Sequence, residues 1–195
     1  MLPLTETQQK SLLQLARGAI QASACSQRLE EIVIPSDVPA ECCGVFVTLH
    51  KGKRLRGCMG HIEALKPLAQ TVCECAFAAA LRDPRFGPVT PEELAGLRIE
   101  ISVLSAFIEI APEQVEVSVH GLYISRGAQT GLLLPQVATH WNWDRERFLK
   151  ETCRKAGLDE DAWRHGARIQ AFTAQVFAEP ANPAQFSPHA VQYVV

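Results

Sequence analysis

Apolar side chains recur at helical spacing near the start of the chain, between Thr5 and about Ala24. Thr5 and Gln8 have the spacing of a capping box, in which two residues satisfy each other's free backbone N–H groups at the start of a helix. The pattern therefore predicts an N-terminal helix with a broad apolar face. Further helices are predicted at about 67–81, with a proline in its first turn, and at about 144–156, with Gly157 as its stop.

Strand patterns fill much of the remaining chain. In the segment 98–105, RIEISVLS, the apolar residues Ile99, Ile101 and Val103 alternate with the polar residues Arg98, Glu100 and Ser102, which is typical of a half-buried antiparallel strand. The segment 43–50 is rich in β-branched and aromatic residues, and a turn at 51–53 leads into a second strand that runs through Leu55. Other strands are predicted at 115–119, 121–125, 131–134 and 167–179. This order of elements predicts an α+β fold with a mainly antiparallel sheet flanked by helices.

Composition and charge narrow the class of function. Of the 195 residues, 47% are hydrophobic and 21% are charged, and the formal net charge is −2. This balance disfavours binding to nucleic acid or to anionic membranes, since both need a clustered positive surface. The sequence shows no secretory signal and no apolar run of about 18 residues, so we expect a cytoplasmic protein outside the membrane. Its seven cysteines are then expected to be reduced thiols.

The stretch LRGCMG, residues 55–60, places Cys58 between two glycines and two residues after Arg56. On an extended strand both side chains would point to the same face, and a cation near a thiol lowers the pKa of that thiol. Gly57 and Gly60 would leave the sulfur uncrowded and backbone N–H groups free to face a substrate oxygen. A cysteine here can equally be a small apolar residue that fills a tight corner. Both interpretations remain open from the residues alone.

A metal site is not expected. Cys58 and His61 supply two ligand types, but a structural zinc site needs four ligands at recognisable spacing. The other histidines are scattered, with no pair four residues apart. We therefore predict neither a metal nor a cofactor, and no role is assigned to His61 or His140.

Two other segments carry candidate binding residues. Asp83 and Arg85 lie in RDPRFGP at the end of a predicted helix, where an arginine can hold a carboxylate or phosphate by two parallel hydrogen bonds. The same residues can instead pair with each other or cap the helix. In GLLLPQVATH, Gln136 and His140 are four residues apart and share a face if the segment is helical. Gln136 is then either a structural residue or one that orients a ligand.

Four segments together resemble the AMMECR family, also called AmmeMemoRadiSam system protein A. In chain order they are LRGCMG at 55–60, RDPRF at 82–86, GLLLPQVA at 131–138 and FLKETCRKAGL at 148–158. The family signature L-R-G-C-I-G has isoleucine where this chain has Met59, a change of similar volume. The matched positions of interest are Arg56, Gly57, Cys58, Gly60, Asp83, Arg85, Pro135 and Gln136.

The resemblance implies an α+β fold of two unequal lobes, with the cysteine motif near a cleft between them. It implies one AMMECR-type domain over residues 1–178, followed by a proline-containing tail over 179–195. It also implies a Memo-like protein and a radical SAM enzyme as partners, because the genes are neighbours in microbes. It implies no established reaction.

Two hypotheses of function follow. In the first, the protein is an enzyme or enzyme component that uses Cys58 as nucleophile or covalent carrier on a small anionic substrate. Arg56 and Arg85 would hold the anionic group and Gln136 would orient it, with Gly57, Gly60 and Asp83 completing the site. In the second, the protein is a non-catalytic binding or adaptor module for the same two partners, and the motif only shapes a rigid corner.

Overall fold

The computed structural model of the protein describes residues 3–25, 33–63 and 65–180. These residues form two compact units. The first contains the described residues up to Leu104 and those from Gln175 onward, and the second is Ser105–Ala174. Within the described ranges, no helix combines the length and the apolar character needed to cross a membrane.

The helices and strands follow one another along the chain in an α+β order. They are α1 (Glu6–Ala24), β1 (Val45–Lys51), β2 (Arg54–His61), α2 (Leu68–Leu81), β3 (Leu97–Leu104), β4 (Ile108–Glu109), β5 (Gly121–Arg126), β6 (Gln129–Leu133), α3 (Pro135–His140), α4 (Arg145–Lys155), β7 (Arg168–Phe172) and β8 (Ala174–Ala178). Short 3-10 helices occupy Pro91–Gly96, Pro112–Gln114 and Ala162–Arg164.

The first unit is a four-stranded sheet in the order β2-β1-β3-β8, with α1 and α2 packed on one face. α1 begins at the expected capping box, in which Thr5 and Gln8 bond to each other's backbone. One face of β1 and β3 joins the apolar core with α1 and α2, because alternate strand residues point to the same side. The residues of β1 and β3 in that core are Val45, Val47, Leu49, Leu97, Ile99, Ile101 and Val103.

The opposite face of the same sheet, which we call the polar face, carries mostly polar residues beside Phe46 and Leu104. Thr48 and His50 lie on this face of β1, and β3 contributes Arg98, Glu100 and Ser102. Thr48 is directly opposite Glu100, and His50 is directly opposite Arg98. Burying a polar group costs free energy unless it forms a hydrogen bond. A face that buries several polar groups is therefore the candidate location of a functional site in the first unit.

β2 runs through the whole LRGCMG motif, further than the predicted end at Leu55. The two motif glycines sit inside this strand because their neighbours leave no room for a side chain. A Cβ at Gly57 would lie within 3.0 Å of the backbone carbonyl oxygen of Ala79 in α2, and a Cβ at Gly60 would collide with the ring of Phe46. The glycines therefore permit close packing of β2 against its surroundings.

The second unit is a four-stranded antiparallel sheet in the order β4-β7-β5-β6, with α3 and α4. Its core is formed chiefly by apolar residues of β5 and α4, with contributions from β6, β7 and α3. Asp144 caps α4 by accepting a hydrogen bond from the Arg147 N–H, and Gly157 ends the helix at φ 70°. Both features agree with the helix predicted at 144–156.

The α+β class, with mainly antiparallel pairing, is confirmed. The strand predicted at 115–119 is wrong, and the single strand predicted at 167–179 is two strands. Residues 115–119 form a turn, in which Ser118 has φ 75° and the N–H of His120 donates to the Glu116 carbonyl. The segment 167–179 is divided at Thr173 into β7 and β8, which belong to different sheets. Val115, Val117 and Val119 alternate with polar residues as in a strand, so the alternation could not reveal the turn.

Gly57→Ala tests the close packing of β2 on α2. We expect the variant to lose about 1–3 kcal/mol of unfolding free energy, because the added methyl group overlaps backbone that cannot move aside. Urea unfolding of the purified chain measures this, with Gly87→Ala as the matched control because a Cβ there meets nothing within 4 Å. Equal stability of the two variants would contradict the packing described.

Candidate functional site

Cys58 lies on β2 directly opposite Thr48 on β1. The Sγ of Cys58 and the Oγ1 of Thr48 are 3.3 Å apart, and either atom can be the donor. Thr48 is buried and Cys58 is half-buried. Since Thr48 is itself opposite Glu100 on β3, the three side chains form one row across the polar face of the sheet.

Asp83 fixes the backbone at Cys58. β2 is an edge strand, and the Cys58 N–H points out of the sheet and donates to the Oδ2 of Asp83 over 2.8 Å. Arg85 holds the same carboxylate by its backbone N–H and its Nε to Oδ1, and by its Nη2 to Oδ2, at 2.7–3.1 Å. Asp83 is only 4% exposed. Asp83 of the predicted pair therefore contacts the main chain of Cys58. Each oxygen of the Asp83 carboxylate accepts two hydrogen bonds.

Arg56 is the extra residue of a bulge in β2, where the pairing with β1 shifts between Leu49 and His50. Its guanidinium binds both carboxylate oxygens of Glu93, at 3.0 and 2.7 Å, and also donates to the Pro88 carbonyl. Lys51 adds a second cation to Glu93. The bulge interrupts the alternation on which the shared face of Arg56 and Cys58 was predicted, so Arg56 faces Glu93.

Phe86 lies beside both paired arginines. The guanidinium carbon of Arg56 is 5.9 Å from the centre of its ring, and that of Arg85 is 5.5 Å away. A cation over an aromatic face is attracted by the ring quadrupole. The segment 82–86 is therefore held against β2 by the hydrogen bond from the Cys58 N–H to Asp83 and by the contact of Arg56 with the Phe86 ring.

The electrostatics of the site favour the neutral thiol. Burial raises the pKa of Cys58, and the Thr48 hydrogen bond and the charge of Arg85 oppose that rise only in part. Asp83 and Glu100 add to the rise because their charges repel a thiolate. The cation that acts on this thiol is thus Arg85.

Burial and pairing act in opposite directions on the pKa values of Asp83 and Glu93, and pairing prevails at both residues. Burial alone would raise the pKa of Asp83, but the hydrogen bonds from Arg85 and from the Cys58 N–H outweigh it and lower the pKa. The hydrogen bond from Arg56 is the main reason that the pKa of Glu93 falls to about 2. Both groups are therefore ionised at neutral pH and remain paired with their arginines.

Cys58 differs from the other six cysteines in its surroundings. Cys25 and Cys42 are exposed, whereas Cys43, Cys73, Cys75 and Cys153 are buried and belong to the apolar cores. Only Cys58 is both half-buried and on the polar face of a sheet. Burial also raises the pKa of Cys75, to about 12, which leaves that thiol inert at neutral pH.

The remaining predicted positions are spread over both units. Gly57 and Gly60 shape β2, while Pro135 and Gln136 begin α3 in the second unit. His61 ends β2 and lines a cavity of about 310 Å³, and His140 ends α3 beside Trp141. No group of three His, Cys, Asp or Glu side chains in the described ranges is placed to hold a metal ion. The predicted cleft between two lobes stays a prediction.

Several residues of the polar face were not among the predicted site residues. These are Thr48, His50, Arg98 and Glu100. His50 is 4% exposed and its Nε2 has no hydrogen-bond partner among the described residues. Burial, and then the charge of Arg98, lower the pKa of His50 to about 4, so the ring is neutral at pH 7. The alternation of segment 98–105 already placed Arg98 and Glu100 on one face, but only the pairing with β1 shows what lies beside them.

The fold and the site define an α+β protein of two antiparallel sheets with helices, carrying a half-buried thiol on a polar sheet face. The model of the AMMECR1 family matches residues 13–177, and the chain belongs to this family. A protein of Methanothermobacter thermautotrophicus is 43% identical over 91% of this chain and 97% of its own length. The crystal structure of the uncharacterized protein PH0010 from Pyrococcus horikoshii superposes with a TM-score of 0.82 at 39% identity, covering 90% of this chain and 93% of the other.

The acid stability of the protein tests the pair of Arg56 and Glu93. The pKa of Glu93 is lower in the folded chain than its ordinary value of 4.5, so the stabilisation is complete above pH 4.5. It is lost as the pH falls towards about 2. We expect Glu93→Gln to cost about 1.5–3 kcal/mol at pH 7, as for hydrogen bonds to charged groups, and progressively less below pH 4.5.

Urea unfolding at pH 7, 4 and 2.5 measures this difference, with the exposed Glu41→Gln as control. A difference between wild type and Glu93→Gln that stays constant from pH 7 to pH 2.5 would show that the ionised carboxylate of Glu93 does not stabilise the fold.

Proposed function

We propose that this member of the AMMECR1 family is an enzyme or enzyme component that uses the Cys58 thiol on a small anionic substrate. In this role Cys58 is the nucleophile or covalent carrier. We further propose that it acts in the cytoplasm with a Memo-like protein and a radical SAM enzyme.

The placement of Cys58 supports this role more than any other single observation. Cysteines that serve only as small apolar residues lie in apolar cores, as Cys75 and Cys153 do here. Cys58 instead shares its face with Thr48 and Glu100, and the buried carboxylate of Asp83 holds its backbone. Such a fixed, polar surrounding is typical of a group that reacts, because reaction needs a defined geometry.

The raised pKa of Cys58 sets a condition on this proposal. At neutral pH the thiol must lose its proton when substrate binds, since only the thiolate is the nucleophile. Arg85 is 39% exposed, and among the described residues its Nη1 makes no hydrogen bond, so it can contact an anion while it holds Asp83. Arg56 is already paired with Glu93, and this ion pair would have to break before Arg56 could bind substrate. Arg85 is therefore the better candidate of the two.

A second candidate function is a non-catalytic adaptor that docks on the same two partners. Its support is that both motif arginines already have internal carboxylate partners, as expected when a motif builds a rigid corner. In this role the neutral thiol of Cys58 would fill space, and its chemistry would not matter.

Covalent trapping separates the two candidates. The wild-type chain, Cys58→Ser and Cys42→Ser are each incubated with both partner proteins and the low-molecular-mass fraction of a microbial extract. Peptide-resolved mass spectrometry then reads out each cysteine. We expect a substrate adduct on Cys58 in wild type and in Cys42→Ser. We expect no substrate adduct at position 58 in Cys58→Ser, or in wild type that is first alkylated with iodoacetamide.

The same samples report on partner binding by size-exclusion chromatography. If Cys58 carries no adduct in wild type while Cys58→Ser binds both partners as wild type does, the adaptor function stands and the enzymatic proposal fails.

A further inference from the structure

One pair on the polar face of the first unit has unused binding capacity. His50 on β1 and Arg98 on β3 are directly opposite each other in an antiparallel pair, so their side chains lie on the same side. They lie beside the row that contains Cys58, Thr48 and Glu100. Neither residue takes part in holding Asp83 or Glu93.

Arg98 has no carboxylate partner in the described chain. Its Nε donates to the backbone carbonyl of Glu179 over 2.8 Å, and its two terminal nitrogens make no hydrogen bond to described residues. This differs from Arg56 and Arg85, each of which forms two parallel hydrogen bonds with one carboxylate. A half-buried guanidinium with free donors is well suited to an oxyanion, because its planar fork matches carboxylate and phosphate oxygens.

His50 supplies a second group with an unmet hydrogen bond. His50 is only 4% exposed, and its Nε2 is buried without a hydrogen-bond partner among the described residues. Buried polar atoms nearly always have a partner, so the Nε2 of His50 is a hydrogen-bonding group that the described residues leave unused. A partner that bonds to His50 at this position also lies near the guanidinium of Arg98.

From this juxtaposition we infer that Arg98 and His50 form a binding site for an oxyanion, a carboxylate or a phosphate, on the polar face of the first sheet. Arg98 supplies the charge and the fork of donors. The neutral ring of His50, with its proton on Nε2, donates one further hydrogen bond. His50 is two residues from Thr48 along β1, about 7 Å at strand spacing. A small molecule with its anionic end at this pair can therefore reach the Cys58 thiol opposite Thr48.

This inference rests on the proposed function and locates the anionic end of its substrate. The other charged group on this face is Glu100, which repels an anion when it is ionised. Burial raises the pKa of Glu100, and Arg98 opposes that rise. Thr48 on the same strand is uncharged, as is Leu55, which lies opposite His50 on β2. A bound anion would offset the field of Arg98 at His50 and raise the pKa of His50.

Imidazole NMR of the whole chain tests the site with two named probes, sodium acetate and inorganic phosphate, at constant ionic strength. We expect one or both to shift the His50 ring signals saturably and to raise the pKa of His50 from its low value. If only phosphate shifts the His50 signals saturably, the ligand is a phosphate. If acetate does so, the ligand is a carboxylate.

Arg98→Gln and Arg98→Lys are the test variants, and Arg54→Gln is the control because Arg54 is an exposed arginine of β2. We expect Arg98→Gln to weaken anion binding about tenfold or more, the loss of one charge-assisted contact. Arg98→Lys should retain part of the affinity because it keeps the charge without the fork. Arg54→Gln should bind as wild type, and circular dichroism confirms that each variant is folded.

The inference is overturned if neither probe shifts His50 saturably, or if folded Arg98→Gln binds as tightly as wild type. Either result leaves the role of Cys58 untouched, because an adduct on Cys58 is detected without reference to Arg98. Conversely, anion binding with no adduct on Cys58 would retain the site and reject the covalent chemistry.

Discussion

The buried carboxylate of Asp83 is the group on which the arrangement around the motif depends. It accepts the outward N–H of Cys58 on an edge strand and, at the same time, three hydrogen bonds from Arg85. Leaving a buried carboxylate without these donors would cost several kcal/mol, so the segment after α2 and the strand β2 are constrained to meet. The position of the Cys58 thiol follows from this constraint together with the contact to Thr48.

The same constraint explains why the motif arginines serve structure first. Arg85 completes the satisfaction of Asp83, and Arg56 does the same for Glu93 on the following 3-10 helix. Arg98 lies on the same face, and no carboxylate among the described residues pairs with it. The carboxylate pairs of Arg56 and Arg85 fix the strand, and the anion site proposed above uses Arg98.

Much of this architecture could be predicted from the sequence, because it depends on local signals. The capping box of Thr5 and Gln8, the proline at the start of α2 and the alternation of β3 each act within a few residues. The site could be predicted only in part. The sequence indicates Asp83 and Arg85 as a possible pair, but the contact of Asp83 with the Cys58 N–H depends on how the end of α2 packs against β2.

Two features of the site could not be predicted from spacing. The bulge at Arg56 arises from a register shift against β1, and such a shift leaves no mark in the alternation of a short glycine-containing strand. The pairing of His50 with Arg98 joins residues 48 positions apart, and only the register of β1 against β3 brings them together. Long-range pairing of this kind is set by tertiary packing and not by local preference.

Amide hydrogen exchange at Cys58 tests most directly whether Asp83 holds the motif. An outward N–H on an edge strand normally exchanges with solvent quickly, since no neighbouring strand accepts it. We expect the Cys58 amide to be strongly protected in wild type and to lose this protection in Asp83→Ala, while the Thr48 amide within the sheet stays protected in both. Rapid exchange at Cys58 in the wild-type protein, at the rate of a free edge amide, would show that Asp83 does not hold the motif.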